Sequence, residues 1–321
     1  MLAKVSLCVV LQQHLEILQN IPDLTWTPGI SPFLASKSQA ELDILFTPKG
    51  SPLPRTHSFI NEPKQPSKEV PDYIDWSKTH PECVNVVRDM KNCGSSQVFS
   101  MVSILSDLRC IQKKDAKRVQ CSEQYVLNCN YGGSGCEYTG DRSVFDFVMT
   151  QGTVPDSCLQ LTSDYTGYTG QCPMFCDDGS FSDTTTFKEY VEVTKDKPIF
   201  QMESALAAGP ISVLFDVYED FMFYTGGIYE HKYGNFLIFH RGEIVGYDEE
   251  DGEEYWKIKF SFGPDFGENG FVRMPKGENS FQIETYAFHF ILQSKQLSYI
   301  LFYSQFYYVA KYLFNNCNYQ L

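Results

Sequence analysis

The stretch N-C-G-S-S-Q-V-F-S at residues 92–100 joins a cysteine and a short turn to the start of a helical pattern. From Ser96 onward, apolar side chains recur at i, i+3, i+4 and i+7, the spacing of a helix with one buried face. They are Val98, Met101, Val102, Leu105 and Leu108. Ser95 or Ser96 fits the N-cap position. We therefore predict a buried helix that begins at Ser96 directly after a turn.

After this helix the sequence contains one further helical pattern and then becomes β-rich. A second helical pattern covers about Arg142 to Thr150, and short β-rich runs follow, among them I-S-V-L-F-D-V-Y at residues 211–218 and E-Y-W-K-I-K-F at residues 254–260. The dipeptide Asp251-Gly252 between two such runs predicts a hairpin. A helical half followed by a sheet half is an α+β pattern.

Composition and charge narrow the function classes. The 321 residues are 43% apolar and 15% aromatic, which predicts a globular protein with a substantial core. The formal net charge of −14 argues against nucleic acid or an anionic membrane as a partner, because both are bound by clustered Lys and Arg. No histidine cluster has zinc-ligand spacing, and we expect neither a metal nor another cofactor.

Eleven cysteines are a high count for this length. The chain has no C-x-x-C pair, so we expect disulfides formed in an oxidising compartment, with a thiol-rich cytosolic protein as the alternative. An odd count leaves at least one thiol without an intramolecular partner. The expected location is the secretory pathway, outside the cell or in a lysosome-like vesicle.

The two ends of the chain differ from its middle. The run V-S-L-C-V-V-L near the start is either a short signal-peptide core or the first turns of a helix. Prolines crowd the segment from Pro48 to Pro71, which predicts a linker or a cleavable junction. Residues 297–314 are mostly aromatic and aliphatic; their tyrosines favour an interface or a packed extension over a membrane span.

Several segments together resemble the papain family of cysteine proteases, and within it the cathepsin B-like members. They include R-D-M-K-N-C-G-S-S at residues 88–96, H-R-G-E-I-V-G-Y at residues 240–247 and F-G-E-N-G-F-V-R-M at residues 266–274, in the family's order. The resemblance implies a helical lobe followed by an antiparallel β-barrel-like lobe, with the active-site cleft between them. It covers residues 70–292, leaving 1–69 as a signal and pro-region and 293–321 as an extension.

The resemblance also assigns catalytic positions. In this family a cysteine attacks the peptide carbonyl, a histidine takes its proton, an asparagine orients the histidine, and a glutamine helps to bind the oxyanion. The nucleophile position falls on Ser96 and the base position on His240. The oxyanion position falls on Met90 and the orienting position on Phe260, and the tryptophan that shields it is replaced by Phe262. Only the histidine is of the expected type.

Other family positions are implied in the same way. Tyr138 and Thr139 replace glycines of the peptide groove, and Tyr286 replaces an acidic residue of the main specificity pocket. For Tyr138, an ordinary surface position is the alternative. The implied disulfides are Cys83 with Cys110, Cys93 with Cys136, Cys129 with Cys172, and Cys158 with Cys176, which leaves Cys8, Cys121 and Cys317.

These substitutions favour a catalytically inactive cathepsin B-like homologue that binds a peptide, a protease inhibitor or a partner protein in its cleft. One alternative is a serine-type hydrolase that uses Ser96 and His240, which requires a hydrogen bond between them. A packed, half-buried histidine without a catalytic role is the other interpretation of His240. A structural or assembly component is a third hypothesis for the whole chain.

Overall fold

The computed structural model describes residues 2–38, 40–41, 70–113, 115–133, 135–136, 141–194 and 198–292. Most of the proline-rich segment, Tyr138, Thr139 and the extension from residue 293, which includes Cys317, lie outside the described residues. The side chain of Cys8 does so as well. Within the described residues, no helix is both long and apolar enough to cross a membrane.

Helices dominate the first two thirds of the described chain. Their bounds are α1 (Leu2–Gln19), α2 (Pro32–Ser36), α3 (Trp76–Thr79), α4 (Pro81–Val84), α5 (Ser96–Ile111), α6 (Glu123–Cys129), α7 (Asp141–Thr150), α8 (Ser163–Thr166) and α9 (Pro198–Leu206). Short 3-10 turns occupy Asp220–Phe223 and Ser280–Gln282. The predicted helix at Ser96 and the one near Arg142 are both present.

Strands fill most of the remainder. Their bounds are β1 (Trp26–Pro28), β2 (Ile74–Asp75), β3 (Phe187–Glu192), β4 (Ile211–Tyr218), β5 (Tyr224–Gly227), β6 (Phe236–Glu250), β7 (Glu253–Lys259), β8 (Phe271–Pro275) and β9 (Ala287–Leu292). The main sheet has the order β3-β9-β4-β6-β7-β8, with β2 also paired to β6, and every pairing is antiparallel. This confirms the α+β class.

Local chemistry explains the central elements. Asp251 and Gly252 join β6 to β7 with φ of 54° and 88°, the left-handed conformation that a two-residue hairpin turn needs. The apolar stripe of α5 packs into one core cluster with Val126, Val144 and Phe290. Ser95 is the N-cap of α5, but its side chain makes no capping hydrogen bond.

The N-terminal segment docks on the sheet lobe. Strand β1 pairs with β5, and the indole N–H of Trp26 donates to the carbonyl of Glu230 at 2.8 Å. Leu11, Leu18 and Leu34 are buried in the same core cluster as the sheet lobe. Residues of the range 11–36 therefore contribute to this core.

Four disulfides brace the helical half, in the pairings that the resemblance implies. They are Cys83–Cys110, Cys93–Cys136, Cys129–Cys172 and Cys158–Cys176. Cys121 is a buried free thiol. The bridge at Cys93 anchors the turn that precedes α5, so the start of this helix is covalently tied to the loop at Cys136.

Candidate active site

Ser96 is the first residue of α5 and is only 2% exposed. Its hydroxyl oxygen accepts a hydrogen bond of 3.1 Å from the backbone N–H of Arg241 in β6. The start of the helix therefore meets the strand that carries His240. Gln97, which follows, is also buried.

His240 lies in β6 and is 1% exposed, so it is fully buried rather than half-buried as the sequence suggested. Its Nε2 lies 3.1 Å from the hydroxyl oxygen of Ser261. Burial lowers the pKa of His240 to about 3, because a charged imidazolium would lose its hydration. The ring is therefore neutral throughout the weakly acidic and neutral range.

Aromatic rings enclose His240. The ring of Phe260 stacks on it with a centroid distance of 4.0 Å and an interplanar angle of 18°. Phe262 meets it edge-on at 5.4 Å, and Phe215 lies on another side at 6.1 Å. Phe260, at the position where the resemblance implies a polar asparagine, thus covers one face of the histidine and offers no acceptor to its ring N–H.

Met90 closes the same cluster. Its backbone N–H donates to the carbonyl of Ser261 at 2.9 Å, and its sulfur accepts from the Ser261 hydroxyl at 3.7 Å. Ser261 was not singled out from the sequence, yet it bridges Met90 and His240. No local sequence pattern identifies Ser261 as a site residue, because a serine between two phenylalanines fits the end of any strand.

The structure brings Met90, His240 and Phe260 into contact around Ser261. Ser96 instead forms a hydrogen bond with the backbone of Arg241, the residue that follows His240 in β6. Within the described residues, no hydrogen bond joins the Ser96 hydroxyl to the His240 ring, so the geometry required by the serine-type alternative is not met. A cavity of about 20 Å³ lies close by, lined by Ser100, Phe260 and Ser261 among others. It has room for one water molecule but not for a peptide side chain.

The N-terminal segment covers one wall of this cluster. Phe33 of α2 stacks on Phe262 with a centroid distance of 4.7 Å and an interplanar angle of 6°, and it meets Phe266 edge-on at 5.7 Å. The ammonium group of Lys37 lies 4.4 Å from the centre of the Phe33 ring. Phe262, at the family's tryptophan position, is therefore buried under residues that precede the proline-rich segment.

A buried ionic cluster lies behind the site and was missed by sequence reasoning. Lys259 of β7 forms an ion pair with Asp107 of α5, and its ammonium nitrogen lies 3.0 Å from a carboxyl oxygen of Glu243 in β6. Arg118 pairs with the other oxygen of Asp107 at 2.9 Å. Burial, and next the neighbouring Asp107 carboxylate, raise the pKa of Glu243 to about 8. No signal in the sequence identified this cluster, because a charged residue is ordinarily expected to face solvent.

Of the expected groove residues, only Tyr286 lies within the described residues. It is half-buried and directly precedes β9, and its carbonyl accepts a hydrogen bond from the N–H of Leu214 at 3.1 Å. The groove roles of Tyr138, Thr139 and Tyr286 stay predictions.

Comparison with known proteins gives consistent matches over this fold. A sequence model of the papain family cysteine proteases matches residues 70–291. Cathepsin B-like CP2 of Giardia intestinalis is 38% identical over 225 residues, covering 68% of this chain and 74% of the relative. Cathepsin B-like CP3 of the same organism is 35% identical over 261 residues, covering 81% and 87%.

Solved structures share the fold. The structure of proCathepsin B S9 from Trypanosoma congolense superposes with a TM-score of 0.74 at 21% identity, covering 88% of this chain and 98% of that one. Digestive procathepsin L 3 of Tenebrio molitor superposes with a TM-score of 0.68 at 22% identity, covering 91% and 90%. Both matches extend over the N-terminal segment as well as the two lobes.

Proposed function

Because this chain belongs to the papain family of cysteine proteases, we propose that it is a cathepsin B-like member that does not cleave peptides and acts by binding. One observation carries the proposal: the His240 ring lies within hydrogen-bond distance of the Ser261 hydroxyl and stacks on Phe260. The Ser96 hydroxyl instead accepts a hydrogen bond from the backbone N–H of Arg241. The one catalytic side chain of the expected type is engaged elsewhere.

The chemistry of the cluster supports inactivity for three separate reasons. An alcohol is a much weaker nucleophile than a thiolate and needs a positioned base. A histidine whose pKa is about 3 accepts a proton poorly at any pH at which peptides are normally cleaved. Met90 offers no N–H from its side chain to a developing oxyanion, and loss of one such donor costs roughly 10² to 10³ in rate.

The proposed ligand is a peptide, a protease inhibitor or a partner protein that enters the cleft. Phe33 covers Phe262 in the intact chain, so we propose that a ligand gains access only when the N-terminal segment is displaced or cleaved off. We also propose a location in the secretory pathway, outside the cell or in a lysosome-like vesicle. The four disulfides support it, because such bridges persist in oxidising compartments.

The test compares the purified chain with its Ser96→Ala variant. Both are incubated with fluorogenic peptides and with thiol- and serine-directed active-site probes at acidic and neutral pH, before and after proteolysis of the linker between Pro48 and Pro71. We expect no turnover and no labelling in either protein. Turnover that Ser96→Ala abolishes would overturn the proposal in favour of a serine-type hydrolase.

Binding is measured on the same preparations. A protein inhibitor of papain-type proteases is titrated against the intact and the linker-cleaved protein. We expect saturable binding to the cleaved form and weaker binding to the intact form. Binding that is equal in the two forms would contradict the role given to the N-terminal segment.

A further inference from the structure

A long open groove crosses the helical lobe away from the cluster around His240. Its larger part has a cavity volume of about 590 Å³ and lies between α6 and α7, with Tyr125, Tyr131 and Phe147 in its lining. A second part of about 260 Å³ shares Tyr125 as a lining residue and is also lined by Met174 and Phe181. We call the two parts together the lateral groove.

The lateral groove presents large apolar side chains to solvent. Tyr131 is 85% exposed, Met174 82% and Phe181 78%. Clustered exposure of this kind is typical of a binding surface. The Cys129–Cys172 and Cys158–Cys176 bridges fix the loops that carry these side chains, so the surface is held open instead of collapsing on itself.

The groove carries carboxylates as well as apolar side chains: Asp146 lines its larger part and Asp183 its second part, and further aspartates lie along the same stretch of chain. Residues 143–187 contain six aspartates and no lysine or arginine. Asp156 and Asp164 are paired with Arg88 and Lys91, and Asp146 lies 3.6 Å from Arg142. The other three, Asp177, Asp178 and Asp183, form no ion pair within the described residues. Their charges favour an occupant that is cationic.

The chain itself supplies a segment of matching chemistry. Residues 293–321 carry Lys295 and Lys311 but no aspartate or glutamate, although the whole chain has a net charge of −14. Between Leu297 and Phe314 they are mostly aromatic and aliphatic. A cationic, aromatic segment complements an acidic, aromatic groove in both charge and apolar character.

The point of departure of this segment lies beside the groove. Leu292 ends β9, pairs with Phe187 of β3 and packs in one core cluster with Phe145 and Val148 of α7. Other residues of α7, including Phe147, line the lateral groove. The five peptide steps from Leu292 to Leu297 can span about 17 Å when extended, which matches the half-circumference of about 16 Å of a helix about 10 Å in diameter.

We propose that residues 297–314 of the same molecule occupy the lateral groove, with Lys311 paired to the aspartates at its rim. This inference is independent of catalysis and of the ligand proposed for the cleft. It assigns the extension a role as an intramolecular cover for an apolar surface that would otherwise be open to solvent.

The test uses the native full-length chain and a zero-length carbodiimide reagent, which joins a lysine to a carboxylate only when they are in contact. An equal mixture of unlabelled and isotope-labelled protein is treated and analysed by mass spectrometry. We expect links from Lys311 to Asp177, Asp178 or Asp183 within one molecule. Lys311→Arg keeps the charge but cannot form the link, and Lys295→Arg is the matched control that leaves it in place.

A second readout does not depend on cross-linking. Phe302→Asp with Phe306→Asp should release the segment, so hydrogen exchange should become faster in residues 125–133 and 172–184, and not in β7. Links between labelled and unlabelled molecules would overturn the proposal in favour of a second copy as the partner. Three further results would also overturn the proposal. They are hydrogen exchange that does not change in the double variant, links from Lys311 only to acidic residues outside the lateral groove, and protection of residues 297–314 only when phosphatidylcholine vesicles are added.

Discussion

Met90 and Phe260 change the surroundings of His240 in the same physical direction. Each replaces a polar amide with an apolar side chain, and together with Phe262 they remove water from the imidazole. A desolvated imidazole resists protonation, which is the cause of its lowered pKa. If Ser96 stands at the nucleophile position, as the resemblance implies, the serine there is accompanied by a histidine that lacks the charge a thiolate requires in its partner.

Restoring the nucleophile alone should not restore a reactive thiolate. In Ser96→Cys the new thiol begins a helix, but the neutral His240 gives it no ion-pair partner, so we expect a pKa close to the ordinary value of about 8.5. The measurement is the ultraviolet absorbance of the thiolate as a function of pH, with the parent protein as the blank. A thiol pKa below neutrality in the single variant would contradict this account.

The matched comparison adds the two amides back. With Met90→Gln and Phe260→Asn in the Ser96→Cys background, the imidazolium regains a polar neighbour and the thiolate a cationic partner. We expect the thiol pKa to fall by at least one unit, since each unit corresponds to about 1.4 kcal/mol of differential stabilisation. An unchanged thiol pKa would contradict the role that the proposed inactivity gives to these two residues.

Three elements meet at the buried ionic cluster. Asp107 comes from α5, Glu243 from β6 and Lys259 from β7, so contacts among these side chains join the helical half to the sheet. Glu243 has a pKa of about 8 when folded, against an ordinary value of 4.5. Between these two values the folded protein holds a proton that the unfolded chain has lost, so the free energy of unfolding falls as the pH rises.

The prediction is a loss of stability from about pH 4.5 to about pH 8 that depends on Glu243. Glu243→Gln should make this decline shallower, because a neutral amide has no proton to lose. Denaturant unfolding at several pH values measures the slope. Glu253→Gln changes an exposed glutamate of β7 and should leave the slope unchanged; an equal effect of both variants would contradict the assignment.

Helix α2 contributes a single large ring to the site. Phe33→Ala should lose about 3 to 5 kcal/mol of packing against Phe262 and Phe266, the usual cost for a buried phenylalanine. We expect faster hydrogen exchange in residues 24–36 and new reactivity of the cleft toward ligands. Ala35→Ser, at an exposed position of the same helix, is the control. Equal exchange in the two variants would show that Phe33 does not hold the segment in place.

Local patterns and family resemblance predicted different parts of the molecule. The helix at Ser96 and the hairpin at Asp251-Gly252 follow from spacing and turn chemistry, which act over a few residues. The stacking of Phe33 on Phe262 joins positions more than two hundred residues apart. Neither local sequence contains a pattern that predicts contact with the other. The hydrogen bond between His240 and Ser261 depends on how deeply the strand ends are buried. Sequence periodicity does not predict that depth.

The same limit explains the ionic cluster. Lys259 and Glu243 are charged residues, and a charged side chain within a strand is ordinarily expected to face solvent. Both are buried because α5 packs over this end of the sheet. Tertiary packing, and not the local sequence pattern, therefore determines that Lys259 and Glu243 are buried.

The four disulfides make the stability of the whole molecule depend on redox conditions. In the chain-entropy account, the Cys83–Cys110 bridge, with a sequence separation of 27, contributes about 3 to 4 kcal/mol by restricting the unfolded chain. We therefore expect a reductant to lower the free energy of unfolding substantially, and Cys83→Ala with Cys110→Ala to account for part of that loss. The control is Cys121→Ala, which removes a buried thiol without removing a bridge, so the variant should keep the full sensitivity to reductant. A parent protein equally stable with and without reductant would contradict a fold held by these bridges, and with it the expectation of an oxidising compartment.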